Sequence, residues 1–396
     1  MRILLLAPQP FFQARGTPIA VRLVLEFLGS RGHRVDALTY HEGSDVDIPN
    51  CRVVRIPRLP GIRNIKPGFS LKKVLCDAVM FFTCARMMRR TQYDLVHAVE
   101  ESAFIAAALK PFTGVPYVYD MDSSLSEQLT DAFPALRLAG PVLRRFEAIA
   151  VRRSAGVLTV CAALQEIARR HAPDTPIGRV EDTTLLPQGA ARSASNGATH
   201  LPPETAGAPV AMYVGNLERY QGIDLLLEGF RHTLLQMKQA RLVIVGGRKD
   251  DIDRYGRRAT ALGIRQAVHF LGPKPVSELG DLLREADVLV SPRLKGTNTP
   301  MKIYSYLDSG TAVLATRLRT HTQVLDERTA YLVDPEPLAL GTGLATLLGD
   351  GSLREGLAAR AKDHVQREFT PEAAARKLEA FYTMIEVRLT EARVRA

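Results

Sequence analysis

Three cationic side chains gather in one short stretch of the chain, where a strand is predicted to end and a helix to begin. They are Arg293, Lys295 and Lys302. The start of a helix has unpaired backbone N–H groups and the positive end of the helix dipole. Cations added to such an end suit the binding of a phosphate group. The alternative, a capped helix with solvated lysines, stays open at this point.

The residues between these cations predict where that helix begins and ends. Thr297, Asn298 and Thr299 are good N-cap residues. Pro300 suits the first helical turn, and Gly310 is a natural residue at the C-terminal end. We therefore expect a short helix that begins close to residue 299, with its N-terminus among the cations.

Two further loops follow predicted strands and carry glycine. In the first, Gly16 follows the strand Arg2–Ala7 and allows close backbone approach, and Thr17 can cap a helix predicted over 19–30. This loop contains no GxGxxG pattern, which disfavours a nicotinamide or flavin cofactor.

The second glycine loop follows the strand predicted over Val210–Val214. Gly215 and Asn216 open it, and Arg219 within it can reach an anion. His321 follows a later strand, and for this histidine both a place in the same site and a place in the core stay open.

Acidic residues and a histidine mark two strand ends in the first half of the chain. His97 and Glu100 belong to or follow a predicted strand and can line a substrate site, with a helix-capping or core role as the alternative. Asp120 and Asp122 lie at the end of the next strand, where carboxylates can bind substrate hydroxyls or act as a base. Capping of the following helix is the alternative for Asp122.

Short apolar runs that alternate with helical patterns must position these residues. The runs are residues 2–7, 34–39, 52–56, 95–99, 116–119 and 156–160, followed by 210–214, 241–245, 267–271, 286–290 and 311–315. This alternation is typical of βαβ units and mainly parallel sheets. We therefore expect two doubly wound α/β domains that face a central cleft, and we expect ligands to bind in this cleft, outside the carboxyl ends of the strands.

A break in the pattern, rich in serine, glycine, alanine and proline, separates the two halves. It predicts an N-terminal domain, a linker, a C-terminal domain and a last helix that packs back on the N-terminal domain. Their bounds are 1–189, 190–209, 210–370 and 371–396.

Composition limits the partners. The 396 residues are 46% hydrophobic and carry a formal net charge of +10, which is compatible with nucleic acid, an anionic membrane surface or phosphorylated ligands. Because the chain lacks tryptophan and shows no basic motif interleaved with aromatic residues, we expect no nucleic-acid partner.

The four cysteines show neither paired nor metal-binding spacing. With a strand from residue 2 and no long apolar stretch, we expect a cytoplasmic protein without a signal peptide.

The basic excess is concentrated in residues 55–90. Nine basic residues face a single acid, Asp77, and apolar residues are interleaved with them. A basic helix with an apolar face can lie in a lipid headgroup layer, which would make the protein peripheral at the inner face of a membrane. A core helix with solvated ends is the alternative.

The chain resembles glycosyltransferase family 4, enzymes of the GT-B fold. The resemblance covers nearly the whole chain and rests on the order and spacing of short motifs. They are the opening strand with Arg15-Gly16-Thr17, Arg31-Gly32-His33-Arg34-Val35, Asp94-Leu95-Val96-His97, Tyr213-Val214-Gly215-Asn216-Leu217, Leu242-Val243-Ile244-Val245-Gly246-Gly247, Ala286-Asp287-Val288-Leu289-Val290-Ser291-Pro292 and Leu307-Asp308-Ser309-Gly310.

The resemblance implies a nucleotide-sugar donor in the C-terminal domain and an acceptor, a glycan or a lipid-linked hydroxyl, in the N-terminal domain. It implies transfer with retention at the anomeric carbon, without a catalytic metal and with no cofactor other than the donor. Helix dipole, backbone N–H groups and fixed cations can stabilise a leaving diphosphate without a divalent ion.

This chain departs from the family pattern at three places. Asn216 and Gln221 stand where the glycine loop of family members usually carries Arg and Lys. Thr297 and Ser305 stand where the family has two glutamates separated by seven residues. Asp122 stands in place of an expected histidine.

These comparisons yield a specific set of site residues. The predicted catalytic residues are Asp120, Asp122 and Lys302, and the predicted acceptor-side residues are His97 and Glu100. The predicted donor-binding residues are Gly16, Gly215, Asn216, Arg219, Arg293, Lys295, Thr297, Asn298, Thr299 and Ser305. No metal site is expected. Because the glutamates are missing, a degenerate GT-B protein that binds a nucleotide or glycan without transfer stays the alternative.

Overall fold

The chain forms two compact units in the computed structural model, which describes residues 1–13, 16–65, 70–133, 138–187 and 199–395. Unit 1 consists of Met1–Glu181 and Ala374–Ala396, and unit 2 of Asp182–Ala373. No helix among the described residues is long and apolar enough to cross a bilayer.

The described part of unit 1 contains a sheet of seven parallel strands. They are β1 Arg2–Ala7, β2 Arg34–Thr39, β3 Cys51–Arg55, β4 Leu95–Val99, β5 Tyr117–Met121, β6 Gly156–Thr159 and β7 Ile177–Arg179. Their order is β3-β2-β1-β4-β5-β6-β7. The central strands are mostly apolar because they are buried on both faces. The strand order reverses between β1 and β4, and the carboxyl edge there is where such sheets bind ligands.

Helices cover both faces of this sheet. They are α1 Gly16–Ser30, α2 Leu71–Arg90, α3 Ser102–Thr113, α4 Leu125–Ala132, α5 Gly140–Arg153 and α6 Ala162–His171. Side chains of α2, α3, α5 and α6 share one core with one face of the sheet, and α1 packs on the opposite face. Ser70 and Ser124 cap α2 and α4 by accepting hydrogen bonds from backbone N–H groups in the first turn.

The described part of unit 2 contains a second parallel sheet, of six strands. They are β8 Val210–Val214, β9 Arg241–Val245, β10 Val268–Gly272, β11 Val288–Ser291, β12 Ala312–Thr316 and β13 Tyr331–Val333. Their order is β10-β9-β8-β11-β12-β13, so the order reverses between β8 and β11. Both the glycine loop and the cationic stretch of residues 291–302 follow these two strands.

Seven helices, counted over the described residues, flank the second sheet. They are α7 Ile223–Gln236, α8 Lys249–Ala261, α9 Leu279–Arg284, α10 Lys302–Asp308, α11 Arg319–Thr322, α12 Pro337–Gly349 and α13 Gly351–Glu368. The helices α7, α8 and α12 enclose one core, and α9, α10 and part of α13 enclose the other. The two-domain parallel α/β architecture predicted from the sequence is therefore confirmed.

The last helix, α14 Pro371–Arg395, belongs to unit 1 from Ala374 onward. Glycines in the sheet make room for its side chains. A Cβ at Gly156 would lie 2.4 Å from Ile385 Cδ1, and one at Gly178 would lie 2.6 Å from Phe381 Cδ2. The helix therefore completes the core on the α1 face of the sheet.

Several details differ from the sequence-based expectations. The short strands β7 and β13 had not been predicted, because three residues are too few to show a period. The chain passes between units at Glu181–Asp182 and Ala373–Ala374 rather than within the predicted linker. Residues 199–209 belong to unit 2, where the Glu285 carboxylate accepts hydrogen bonds from the backbone of His200 and Leu201. The remainder of the predicted linker, 190–198, lies outside the described residues.

Candidate active site

The glycine loop after β8 brings backbone and a lysine side chain into close contact. Gly215 has a φ of 149°, in the region that favours glycine. A Cβ at this position would lie 2.8 Å from Lys302 Nζ and 3.0 Å from Tyr213 Oη. Glycine is required here because any side chain would push Lys302 out of its place.

Lys302, the first residue of α10, is held by neutral groups. Its Nζ donates a hydrogen bond to Gln221 Oε1 at 3.2 Å and lies 3.9 Å from the centre of the Tyr213 ring. Burial, and secondly the charge of Arg293, lower the pKa of Lys302 well below its usual range. Tyr213 had not been selected from the sequence, because a tyrosine in a buried strand gives no signal of a site.

Arg293 is a second cation in the same region and is only 8% exposed. Its Nε donates to the Lys295 carbonyl oxygen at 2.6 Å and its Nη2 to Asn298 Oδ1 at 3.2 Å, while the guanidinium lies over the Tyr220 ring. Burial lowers the pKa of Arg293. Gly296 leaves the room for the guanidinium, since a Cβ there would lie 2.1 Å from Arg293 Nη2.

These two cations lack what buried cations usually have. Among the described residues no carboxylate pairs with Lys302 or Arg293, and the charges that act on their pKa values include none from a carboxylate. Buried charges are stable when paired. The arrangement therefore suits an anionic ligand that supplies the missing negative charge, and it agrees with the predicted phosphate site.

The loop before α10 differs from the predicted cap. The helix begins at Lys302 with Met301 as its N-cap, so Thr297, Asn298 and Thr299 form a loop instead of the first turn. The Asn298 and Thr297 carbonyls accept hydrogen bonds from Thr320 and Gln323, which draws this segment away from a helical path. Within the described chain, the hydroxyl of Thr299 is buried without a hydrogen-bond partner.

The remaining donor-side residues lie at different depths. Asn216, Arg219 and Lys295 are exposed at the surface of the loops that also hold Lys302 and Arg293. Ser305 is 1% exposed, and its Oγ accepts a hydrogen bond from the Leu185 N–H at 3.0 Å. This placement argues against the predicted donor-binding role of Ser305, because the hydroxyl is enclosed and already bonded.

His321 lies in the core. Its Nε2 is 2.9 Å from Ser291 Oγ and its Nδ1 is 2.8 Å from the Thr316 carbonyl oxygen. Burial lowers the pKa of His321 to about 4, so the ring is neutral near pH 7. It braces the ends of β11 and β12, from which the cationic loop starts, and does not reach solvent.

In unit 1, His97 is a buried structural residue. Its Nδ1 is 2.6 Å from Tyr382 Oη and its Nε2 is 2.9 Å from Asp120 Oδ2. His97 is fully buried, so the prediction that it lines the acceptor side is wrong and the core alternative is correct. Asp120 is 8% exposed and holds the histidine, which leaves it poorly placed for the predicted role of base.

Asp122 and Glu100 are partly exposed at the carboxyl edge of β5 and β4. Ser123 Oγ is 3.5 Å from Glu100 Oε1. Burial, followed by the charge of Glu101, raises the pKa of Glu100 to about 7. This edge therefore offers carboxyl groups that can bind hydroxyls and exchange a proton near neutral pH.

A cluster next to this edge had escaped the sequence analysis. Lys73 of α2 pairs with Glu101, and Tyr40 Oη donates a hydrogen bond to Asp77. Burial, followed by the charge of Glu101, raises the pKa of Asp77 to about 7. The signal available in the sequence was the spacing of Lys73 and Asp77, which puts both on one side of α2.

The glycine loop of unit 1 is described only in part. Gly16 is exposed with a φ of 31° and begins α1, so Thr17 lies in the first turn and is not the predicted cap. Arg15 lies outside the described residues. Near this loop an open cavity of about 820 Å³ is lined by Gln13, Arg58 and other residues of the loop 58–65.

Models of two families match the two units. The one described as "Glycosyl transferase 4-like domain" matches residues 15–181, and the one described as "Glycosyl transferases group 1" matches residues 208–350. Together they cover every strand of the two sheets except β1.

Curated relatives include two kinds of bacterial enzyme. A D-inositol 3-phosphate glycosyltransferase of Corynebacterium diphtheriae is 31% identical over 180 residues, which are 44% of this chain and 42% of the relative. The chain thus spans less than half the length of that relative. A phosphatidyl-myo-inositol mannosyltransferase of Mycobacterium leprae is 25% identical over 376 residues, 93% of this chain and 92% of the relative.

Solved structures share the architecture over almost the whole chain. A sucrose-phosphate synthase from Thermosynechococcus elongatus has a TM-score of 0.78 at 21% identity, covering 98% of this chain and 99% of its own. Anabaena HepE in complex with UDP has a TM-score of 0.71 at 16% identity, covering 97% and 100%. Because both family models match, the chain belongs to glycosyltransferase family 4, and its architecture is the GT-B fold.

Proposed function

We propose that this protein transfers a sugar from a nucleotide-diphosphate-sugar to a hydroxyl acceptor. The observation that carries the proposal is the pair of cations without a carboxylate partner, Lys302 and Arg293, beside the loop of Gly215. A donor diphosphate supplies two negative charges, which matches the two cations. Anabaena HepE has been solved with UDP and with UDP-glucose, and this supports a nucleotide-sugar ligand.

In the proposed reaction the bond between the anomeric carbon and the donor phosphate oxygen breaks while the acceptor oxygen bonds to that carbon. Negative charge builds on the leaving diphosphate. Lys302 and Arg293 are already fixed by hydrogen bonds and aromatic rings, so they stabilise this charge without reorganisation. We propose that this makes a catalytic metal unnecessary, and that the sugar keeps its anomeric configuration as the family resemblance implies.

The acceptor belongs, in this proposal, to unit 1. Asp122 and Glu100 are partly exposed at the sheet edge, whereas Asp120 is buried and bonded to His97. They would bind the acceptor hydroxyl and receive its proton, since burial leaves Glu100 with a pKa of about 7. The phosphatidyl-myo-inositol mannosyltransferase similarity supports an acceptor that is lipid-linked.

A lipid-linked acceptor fits the exposed side of α2. This helix buries Cys76, Met80 and Cys84 but exposes Leu71 by 74% and Phe82 by 71%. Its surface is also basic, with exposed residues at Lys72, Arg86, Arg89 and Arg90. We propose that α2 contacts an anionic membrane, with the protein peripheral on the cytoplasmic side. Lys73 does not contribute to this surface, because it pairs with Glu101.

Thermal stabilisation by a panel of nucleotides and nucleotide sugars, without added metal, tests the donor site. We expect a shift of several degrees with one nucleotide family, and loss of that shift in Lys302→Ala. Lys238→Ala, an exposed lysine of the same unit, is the matched control and should keep the shift. A shift that survives in Lys302→Ala would contradict the assignment.

The alternative is a protein that binds the donor without transferring the sugar. It is favoured by Thr297 and Ser305 in place of the expected glutamates, and by the enclosure of Ser305. The two functions separate in one assay. Release of free nucleotide from a stabilising nucleotide sugar, stimulated by lipid extract and lost in Lys302→Ala, supports transfer. Binding without any nucleotide release supports the alternative.

A further inference from the structure

The outward face of α5 carries a stripe of apolar side chains that nothing in the described chain covers. Val142 is 55% exposed, Phe146 59% and Ile149 36%. They are spaced four and three residues apart and therefore lie on one side of the helix. The opposite side, with Ala148, Ala150 and Val151, packs into the core of unit 1.

The charges of α5 have one sign at its surface. Arg144, Arg145, Arg152 and Arg153 are exposed. The single acid of the helix, Glu147, is 1% exposed, and its carboxylate accepts hydrogen bonds from Ser124 and lies 3.1 Å from His171 Nε2. The exposed surface of α5 is thus composed of apolar side chains and arginines, which is the composition of helices that lie in anionic headgroups.

This face belongs to the same helical layer as α2, for which a membrane contact is proposed above. The helices α2, α3 and α5 pack on the same face of the sheet of unit 1. Exposed aromatic side chains occur on each of them, at Phe82, Phe112 and Phe146. A layer of three helices with exposed aromatic side chains, of which α2 and α5 are also basic, fits an extended planar partner.

We propose that α5 is a second lipid-contacting helix, in which Val142, Phe146 and Ile149 enter an anionic phospholipid surface while the flanking arginines bind its phosphates. The proposal rests on the proposed function, in which the acceptor is lipid-linked. It adds a contact that α2 alone does not provide, and it orients unit 1 through two helices.

The absence of tryptophan from the chain makes a direct test possible. Phe146→Trp in the full-length protein introduces a single indole on the stripe. Vesicles of phosphatidylcholine with phosphatidylglycerol should shift its emission to shorter wavelength, and vesicles of phosphatidylcholine alone should not. Leu235→Trp, at a 74% exposed position of unit 2, is the matched control and should not respond. An unchanged emission of Phe146→Trp with bound vesicles would overturn the proposal.

Sedimentation with the same vesicles gives a second measurement. Phe146→Ser should weaken vesicle binding about tenfold, because the substitution removes the apolar ring whose transfer into lipid favours binding. Leu235→Ser should bind as the wild type does. Equal vesicle binding of the wild type and Phe146→Ser overturns the role of α5. So does a wild-type protein that is a dimer in solution and becomes a monomer in Phe146→Ser, because the stripe would then be a protein interface.

The thermal shift of Phe146→Ser with nucleotide should equal that of the wild type. If that shift is absent from the wild type too, the proposed function fails and the lipid result stands separately.

Discussion

Lys302 and Arg293 illustrate how a site can be built from charges that are left uncompensated. Each is fixed by a neutral acceptor and an aromatic ring, burial lowers the pKa of both, and the charge of Arg293 lowers the pKa of Lys302 further. The free protein therefore holds Lys302 in a state that a bound dianion would relieve. An anion restores the usual pKa of a lysine by favouring its charged form.

This predicts that donor binding takes up a proton at pH values between the pKa of Lys302 in the free protein and its pKa in the complex. Lys302 has a lowered pKa in the free protein, and a bound diphosphate raises it, so affinity should fall as the pH rises above the free pKa. Calorimetric titrations with a nucleotide sugar in two buffers of different ionisation enthalpy measure the uptake. Lys302→Met should bind more weakly and without uptake. Equal heats for the wild type in both buffers would refute the idea.

Asp77 predicts a pH dependence of stability. Burial raises its pKa from 3.8 to about 7. The folded state then binds more protons than the unfolded state between these values, so this group makes stability fall as the pH rises from about 4 to about 7. The wild type should lose on the order of 2–4 kcal/mol in free energy of unfolding across this pH range, and Asp77→Asn should not show this loss. Thermal unfolding of both proteins across this pH range checks it, and parallel curves would contradict it.

At the scale of elements, the loop after β8 depends on the absence of a side chain at residue 215. Gly215→Ala puts a methyl group 2.8 Å from Lys302 Nζ and demands a φ that alanine rarely adopts. We expect nucleotide-sugar affinity to fall by roughly tenfold or more as Lys302 is displaced, a loss of about 1.4 kcal/mol per factor of ten. Gly256→Ala in α8, with open space around it, is the control and should bind normally. Equal affinities of the two variants would argue against the loop as donor site.

Shortening a buried side chain of the last helix should lower the stability of unit 1 markedly. Phe381 is 2% exposed and fills space left by Gly178, so Phe381→Ala should destabilise unit 1 by about 3–5 kcal/mol. Met384 on the same helix is 40% exposed, and Met384→Ala should cost far less. Urea unfolding of the two variants compares them. Similar costs would mean that α14 is not part of the core of unit 1.

At the scale of the whole molecule, the net charge of +10 predicts salt-sensitive membrane binding. Lys72→Gln combined with Arg86→Gln removes two exposed charges of α2 and should weaken sedimentation with anionic vesicles severalfold. Lys238→Gln with Arg257→Gln removes the same charge from unit 2 and should matter less. Binding that is indifferent to salt, or an equal loss in both double variants, would count against α2 as a lipid contact.

The sequence predicted most strands of both sheets, because strands that are buried on two faces consist mainly of consecutive apolar residues. It also predicted that Gly215, Arg293 and Lys302 lie together, since loops that follow neighbouring parallel strands meet at one edge, and the structure brings Gly215 and Arg293 next to Lys302. The sequence could not show whether the side chain of His97 lies in the core or lines a substrate site. That difference depends on Tyr382, which is 285 residues away along the chain.

By itself, the sequence determined the alternation of strands and helices, the two-domain architecture, and which loops carry cations and glycines. These properties depend on neighbours in the chain, which a local pattern records. Only the tertiary structure decided that Ser305 and His321 are enclosed, that Lys73 pairs with Glu101, and that the face of α5 is left exposed. Burial and charge pairing depend on residues brought together from distant parts of the chain, so a local pattern does not contain them.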